Sequence, residues 1–359
     1  MRQKRTFILA AAVGLAVVLA CEALLFTGGF EFLENRSFDL RVRLLPPPEP
    51  PPADIVIVDI DNPSFAALSE AVGRWPWTRL LWADLAKFIQ QGQPRAIVFD
   101  AVFSGREDEE VDREFAQALA QSGNVILAYA FVAYEAERAG GAAGAPRAVP
   151  GAVAVEDKLG LPALSPEKVK PDLPLEELAR AARALGSITA TPDSDGVNRR
   201  FAVLYRWNDR YYPSLALATA AATRGALGGR PALLTENELR WGKITVPLTE
   251  HGLLVPRWRT DRAAFARLPL WQVVCSYAPE NCEEGKRFFA PDVFRDKIVI
   301  VGASATGAFD VFATPIGELT PGFLVHAAAL ESLLTGRAYA RPAAYWTHLL
   351  VVLLAGLGL

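Results

Sequence analysis

Three aspartates carry the first chemical signal: Asp59 and Asp61 close the run IVIVDID at 55–61, and Asp100 closes AIVFD at 96–100. Apolar, β-branched runs of this kind read as buried strands of a parallel sheet. In an open α/β sheet, ligands bind beyond the carboxyl ends of such strands. Carboxylates gathered there suit a hard cation through oxygen ligands, or a cationic ligand. The plainer alternative is that they cap neighbouring helices and pair with Arg74 or Arg79 of the loop GRWPWTR at 73–79, because ion-pair networks imitate sites.

That loop sets Trp75 and Trp77 on a rigid turn. They form either an aromatic wall for a ligand or partner subunit or a plug over the top of the sheet. Gly302-Ala-Ser-Ala-Thr-Gly307 follows another apolar strand, and its N–H groups could cradle an anion. It lacks the Lys-Ser/Thr of a P-loop and the dinucleotide fingerprint, so its glycines are expected to allow a tight crossing beside Asp310. Asp310, Thr314 and His326 are polar residues around one end of this segment. His326 stands in the apolar run LVHAAAL; it is a satisfied core histidine or, if reached by a changing pH, a titrating sensor.

Asp193-Ser-Asp195-Gly196 resembles the start of a calcium loop, but Leu204 stands where the twelfth-position glutamate belongs, so a tight β-turn is expected. Cys275 and Cys282 flank a Pro-Asn turn. They close a small disulfide loop in an oxidising compartment or stay reduced in the cytosol. There is no Gly-x-Ser-x-Gly elbow and no cysteine in a local pattern with histidine. No catalytic set, metal or cofactor is expected in this chain.

The elements that must position these residues follow a βαβ rhythm. Strands are predicted at 54–61, 95–100 and 124–131, with helices at 64–72 (capped by Ser64), 80–91 and 111–121. An Ala/Gly/Pro-rich insertion covers 135–154. A helix over 175–185, a strand over 199–207, a helix over 214–224 and a β meander over 239–258 follow. A strand at 297–302 and an amphipathic helix at 323–334 complete the fold. The expectation is an α/β fold with a doubly wound, mostly parallel sheet and a small β-rich section.

The chain has 359 residues, 51% of them hydrophobic, with 37 basic and 40 acidic side chains and a net charge of −3. This balance argues against a nucleic-acid partner, and the apolar fraction excludes a disordered chain. Residues 7–27 carry a single charge, Glu22, and follow the basic MRQKRT. Such a run is long enough to span a bilayer, so residues 1–6 are read as a cytoplasmic tail and 7–27 as a signal anchor. The rival is a lipobox at Val18–Cys21. A membrane-proximal helix and a proline-rich linker fill 28–52, an exported domain fills 53–342, and 343–359 begin a second span behind Tyr345 and Trp346. The native protein is expected to continue beyond it.

In order, DLR at 39–41, IVIVDID at 55–61, GRWPWTR at 73–79, AIVFD at 96–100, TPDSDGVNRR at 191–200, DKIVIVGASATGAFDVFATPIG at 296–317 and PGFLVHAAALESLLTG at 321–336 form one set. This set resembles the CHASE type-2 domain, an extracellular sensory module of membrane-bound cyclases and sensor kinases. The resemblance runs from about residue 32 to 339. It implies a receptor in the bacterial inner membrane with a periplasmic sensor, an unknown extracytoplasmic ligand, association as a homodimer, and a cytoplasmic adenylate or guanylate cyclase (or kinase) as output. Two rival readings are an anchored metal-dependent hydrolase using Asp59, Asp61 and Asp100, and an assembly protein polymerising through the Trp75/Trp77 face.

Overall fold

A computed structural model describes residues 2–26, 31–50, 52–69, 72–133, 149–249, 251–260, 264–282, 285–308, 310–340, 349 and 353. The chain divides into two compact units, 1–45 with 340–359, and 46–339.

The first unit contains α1 (Arg2–Phe26) and α2 (Glu31–Leu44). In α2, Glu31 and Glu34 stand in the first turn and Arg41 and Arg43 in the last, the arrangement that complements the helix dipole. Among the described residues, no helix is long and apolar enough to cross a membrane. The second span expected at 343–359 falls outside the described residues except for Leu349 and Leu353.

The second unit is the α/β body. Its first half runs β1 (Ile55–Ile60), α3 (Asn62–Leu68), α4 (Arg79–Gln91), β2 (Ala96–Phe99), α5 (Glu109–Ser122) and β3 (Val125–Ala133). Next come β4 (Val155–Asp157), β5 (Val169–Asp172), α6 (Glu176–Ala181), β6 (Ala184–Ser187), β7 (Phe201–Ala202), β8 (Leu204–Trp207), β9 (Arg210–Pro213) and α7 (Leu215–Thr223). The chain continues with β10 (Ala232–Leu234), β11 (Glu238–Trp241), β12 (Ile244–Pro247), β13 (Leu253–Leu254), β14 (Ala266–Pro269) and α8 (Leu270–Tyr277). It closes with β15 (Ile298–Ala303), β16 (Val311–Thr314), β17 (Gly317–Pro321) and α9 (Gly322–Thr335).

The central sheet has the order β14-β1-β15-β2-β3, with β6 parallel to β3 and β5 antiparallel to its far end. β1, β2, β3, β6, β14 and β15 all run parallel. Because strand side chains alternate faces, Val58, Ile60, Phe99 and Val301 enter one core with Trp82, Leu85 and Phe115 of α4 and α5. Gly302, one step on from Val301, meets Phe323 of α9 on the other face. Helices α7 and α9 pack together there. The sheet is therefore covered on both sides, as continuous apolar strands require. A smaller sheet, β12-β11-β10-β4, forms the β-rich section.

Four local expectations change. The helix expected over 175–185 ends at Ala181, and Ala184–Ser187 becomes a strand instead. Gly186 explains this: a Cβ there would lie 2.4 Å from Leu215 Cα, so only glycine lets α7 sit on the sheet at that point. Asp61, not Ser64, caps α3: its Oδ1 accepts from Ser64 N (2.8 Å) and Oγ (2.6 Å), satisfying donors that a helix start leaves open. The strand expected over 199–207 breaks at Val203 into β7 and β8. Finally, α9 is not amphipathic: it is buried from Gly322 through Leu333, because β15, α7 and β12 surround it. Most of the 135–154 insertion lies outside the described residues, but Val149 is buried and Val153 bridges to Tyr211. At Asn208 and Asp209, φ is +47° and +55°, the signature of the tight turn that closes a two-residue hairpin.

Candidate functional site

The carboxyl ends of β1, β15 and β2 form a row. Asp59 pairs in register with Gly302, and Asp100 follows β2 on the other side, donating its N–H to Val301 O at 2.9 Å. A Cβ on Gly302 would come within 2.8 Å of Phe323 Cβ, so glycine there lets the start of α9 settle onto the sheet. Gly302→Ala is expected to cost about 1–3 kcal/mol through overpacking, read as a lower urea midpoint with an unchanged slope.

The three aspartates do not converge. Asp59 faces Arg267 of β14 (Oδ2 to Nη1, 3.6 Å), whose guanidinium lies 5.3 Å from the Phe323 ring centre. Burial pushes the Asp59 carboxyl up, while Ser304 and Arg267 pull it back. Asp61 is used up as the cap of α3. Asp100 turns toward α9. Among the described residues, no group of three or more His, Cys, Asp or Glu side chains is placed to hold a metal ion. The common site on which the hydrolase reading depends is not formed.

The arginines expected beside these aspartates are also elsewhere. Arg74 is exposed in its loop. Arg79 is buried, and it pairs with Asp112 in the first turn of α5 and with the Gly105 carbonyl. Its own N–H donates to Glu107 Oε2 at 2.9 Å. The reason is packing: α4 lies along α5, and the fully buried Asp112 needs a cation.

Trp77 is a plug. It is 4% exposed, donates Nε1–H to Gly73 O at 3.1 Å, and joins Phe65, Trp75 and Trp82 in one aromatic cluster. Only Trp75, at 37% exposure, reaches the surface from this pair. The 302–307 loop is no anion cradle. Ser304 N and Ala305 N donate to Ile60 O, and Thr306 N donates to Asn62 Oδ1, so these three amides are spent inside the fold. Likewise, Asp193 and Asp195 are taken by Arg199 (3.1 and 2.9 Å) and Asp193 also by Arg200 (2.9 Å), which leaves a turn, not a calcium loop.

One buried polar cluster does form. His326 Nε2 lies 3.5 Å from Asp100 Oδ1, with the two side chains 7% and 2% exposed. Asp310 lies against the start of α9: its carbonyl accepts Gly322 N–H at 3.1 Å, and a Cβ on Gly322 would fall 2.6 Å from either carboxylate oxygen. A helix N-terminus favours negative charge, which opposes the effect of burial on Asp310. Burial pushes the Asp100 carboxyl up to about 7. Asp310 is pushed up to about 7 by burial and by Asp100, with His326 acting the other way. Burial pushes the His326 imidazole down to about 4. At neutral pH this cluster therefore holds a neutral imidazole beside partly protonated carboxyls. Asp100 Oδ2 and His326 Nδ1 have no hydrogen-bond partner among the described residues, and a cavity of about 20 Å³ adjoins His326, room for a single water. Thr314 does not join the cluster; it bonds Thr320 across the β16–β17 hairpin at 2.7 Å.

A second constellation escaped sequence reasoning. Arg259 grips Glu331 of α9 with Nε (2.8 Å to Oε2) and Nη2, and its Nη1 donates to the Glu49 carbonyl at 2.8 Å. Glu49 also pairs with Arg257 (2.6 Å) and Arg337 (2.7 Å). The incoming linker, α9 and the segment leaving α9 are thus tied at one point. The signals available were Arg257 and Arg259 two apart and Glu331 alone in an apolar helix; neither names its partner.

Cys275 and Cys282 are joined in a disulfide at the end of α8. Replacing both by serine is expected to cost about 2–3 kcal/mol for a loop this short, measured by urea unfolding of the oxidised protein.

No curated protein and no solved structure matches the chain. The model of the CHASE2 domain matches residues 13–359, essentially the whole chain. Together with the mixed α/β body and its parallel sheet, this match places the chain in the CHASE2 family of extracellular sensory domains.

Proposed function

We propose that the chain is the input half of a membrane-anchored receptor, with residues 46–339 exported and the ends of the chain in the inner membrane. The observation that carries this reading is the ion pair between Glu49 and Arg337 at 2.7 Å. It brings the first and last turns of the body together, as a domain whose two ends return to the same bilayer requires. The Cys275–Cys282 disulfide supports an oxidising compartment. In this reading a stimulus that favours one setting of the Asp100–Asp310–His326 cluster shifts α9. The Arg259–Glu331 grip passes the shift to the linker. Only differential interaction with two states can do this. The output is an adenylate or guanylate cyclase, or a kinase, working as a dimer.

Topology tests the proposal. In a Cys21→Ser background, Arg74→Cys offers an exposed thiol. Labelling of intact spheroplasts by a membrane-impermeant maleimide is expected. Protection that is lost only on lysis would place the body in the cytosol and overturn the reading.

A further inference from the structure

A cavity of about 320 Å³ lies between the small sheet and α7, lined among others by Arg183, Leu185, Ala218, Gly228, Arg230 and Trp241. That volume falls in the range of small-molecule sites. Its floor is apolar: Leu185, Ala218 and Trp241 are all buried. Its charged lining residues are Arg183 and Arg230, and no acidic residue faces them in the cavity. Neither guanidinium makes an ion pair or side-chain hydrogen bond among the described residues, whereas Arg79, Arg199 and Arg259 are all paired. An apolar floor with two solvent-exposed arginines among its lining residues, neither engaged by a carboxylate among the described residues, offers the recognition chemistry of a carboxylate on a compact hydrocarbon body.

The elements that build this cavity also reach the end of α9. Arg224, which ends α7 just before the cavity loop, donates Nη2–H to Leu334 O at 2.9 Å. Trp241 belongs to β11, which pairs with β12. Gly336, the left-handed residue that stops α9 at φ +69°, lies so close to β12 that a Cβ would fall 2.8 Å from Thr245 O. The next residue, Arg337, holds Glu49. The elements that continue from two walls of the cavity, the end of α7 and the β11–β12 pair, therefore touch the turn from which the chain leaves the body.

We propose that this cavity binds a small organic monocarboxylate and that occupancy tightens the last turn of α9. The second half rests on the receptor reading above; the binding itself does not.

The test uses the full chain in nanodiscs, with benzoate as probe and benzyl alcohol as its neutral counterpart. Calorimetry is expected to show benzoate binding, at least tenfold weaker binding of benzyl alcohol, and at least a tenfold loss of benzoate affinity in Arg183→Ala/Arg230→Ala. Arg183→Lys/Arg230→Lys, which keeps both charges, should retain part of that affinity and guards against a misfolded alanine variant. Saturating benzoate should slow amide exchange at 332–337 severalfold. Absence of benzoate binding at millimolar concentration, or equal binding by the alanine variant and wild type, overturns the site. Binding without protection at 332–337 overturns the coupling. A cytosolic Arg74→Cys label with binding intact would instead remove the receptor reading and leave the site.

Discussion

Replacing Arg259 by leucine is expected to lower the stability of the 46–339 body by about 3–5 kcal/mol. The substitution strands Glu331, 5% exposed and the single carboxylate of the buried helix α9, and removes the donors to the Glu49 and Pro50 carbonyls. Glu331→Leu should cost a similar amount by stranding the guanidinium instead. The double leucine variant should recover much of the loss, because a buried ion pair replaced as a unit by apolar groups is often neutral. Arg337→Ala, at an exposed position, should change stability by less than about 1 kcal/mol. Chemical denaturation of the four variants decides the matter; a double variant as unstable as the sum of the singles would mean the pair is not what holds α9 to the linker.

Asp100→Asn should stabilise the body increasingly as pH rises. The carboxyl of Asp100 is raised from 3.8 to about 7 by burial, so between those values the folded chain binds the proton more tightly than the unfolded chain. Stability contributed by the protonated form is present below about pH 4 and is lost as pH rises to 7, at about 1.4 kcal/mol per unit at most. Above pH 7 the full cost, up to about 4 kcal/mol, has been incurred. Asparagine cannot ionise and escapes it. His326 has the opposite sign: an imidazole lowered to about 4 destabilises the fold in acid and ceases to do so as pH rises through 6.5. Asp310 acts in the same direction as Asp100, moderated by the first turn of α9. Urea unfolding at pH 4.5, 6 and 8 should therefore show the gap between variant and wild type widening with pH. A gap of constant size would mean that Asp100 ionises as freely in the fold as outside it.

Local chemistry made much of the body legible. The runs 55–60, 96–99 and 298–303 are buried along their whole length, and continuous β-branched stretches have few other places to go. Ser214 caps α7, Gly92 ends α4 and Gly336 ends α9, each by a preference that acts within a few residues. The errors lie where a local preference met a distant neighbour. The helical expectation over 175–185 takes in Ala184 and Leu185, but β3 pairs with Ala184–Ser187 and α7 packs against Gly186, which makes that segment a strand.

The candidate site divides along the same line. Asp59 and Asp61 are two residues apart, and in a continuing strand they would share a face. The strand ends at Ile60, so Asp61 obeys the geometry of a helix cap instead. Arg79 found Asp112 33 residues away, and Arg259 found Glu331 72 residues away.

The sequence by itself determined the family, the alternation of buried strands and helices, and which side chains are too polar to be indifferent to burial. Those properties depend on residue type and on spacing along the chain. Only the tertiary structure decided which carboxylate meets which cation, that β15 comes between β1 and β2, and that Asp100, Asp310 and His326 share one buried space. Such pairings are set by the order and hand of strands brought together from opposite ends of the chain, and a charge carries no mark of the partner it will meet.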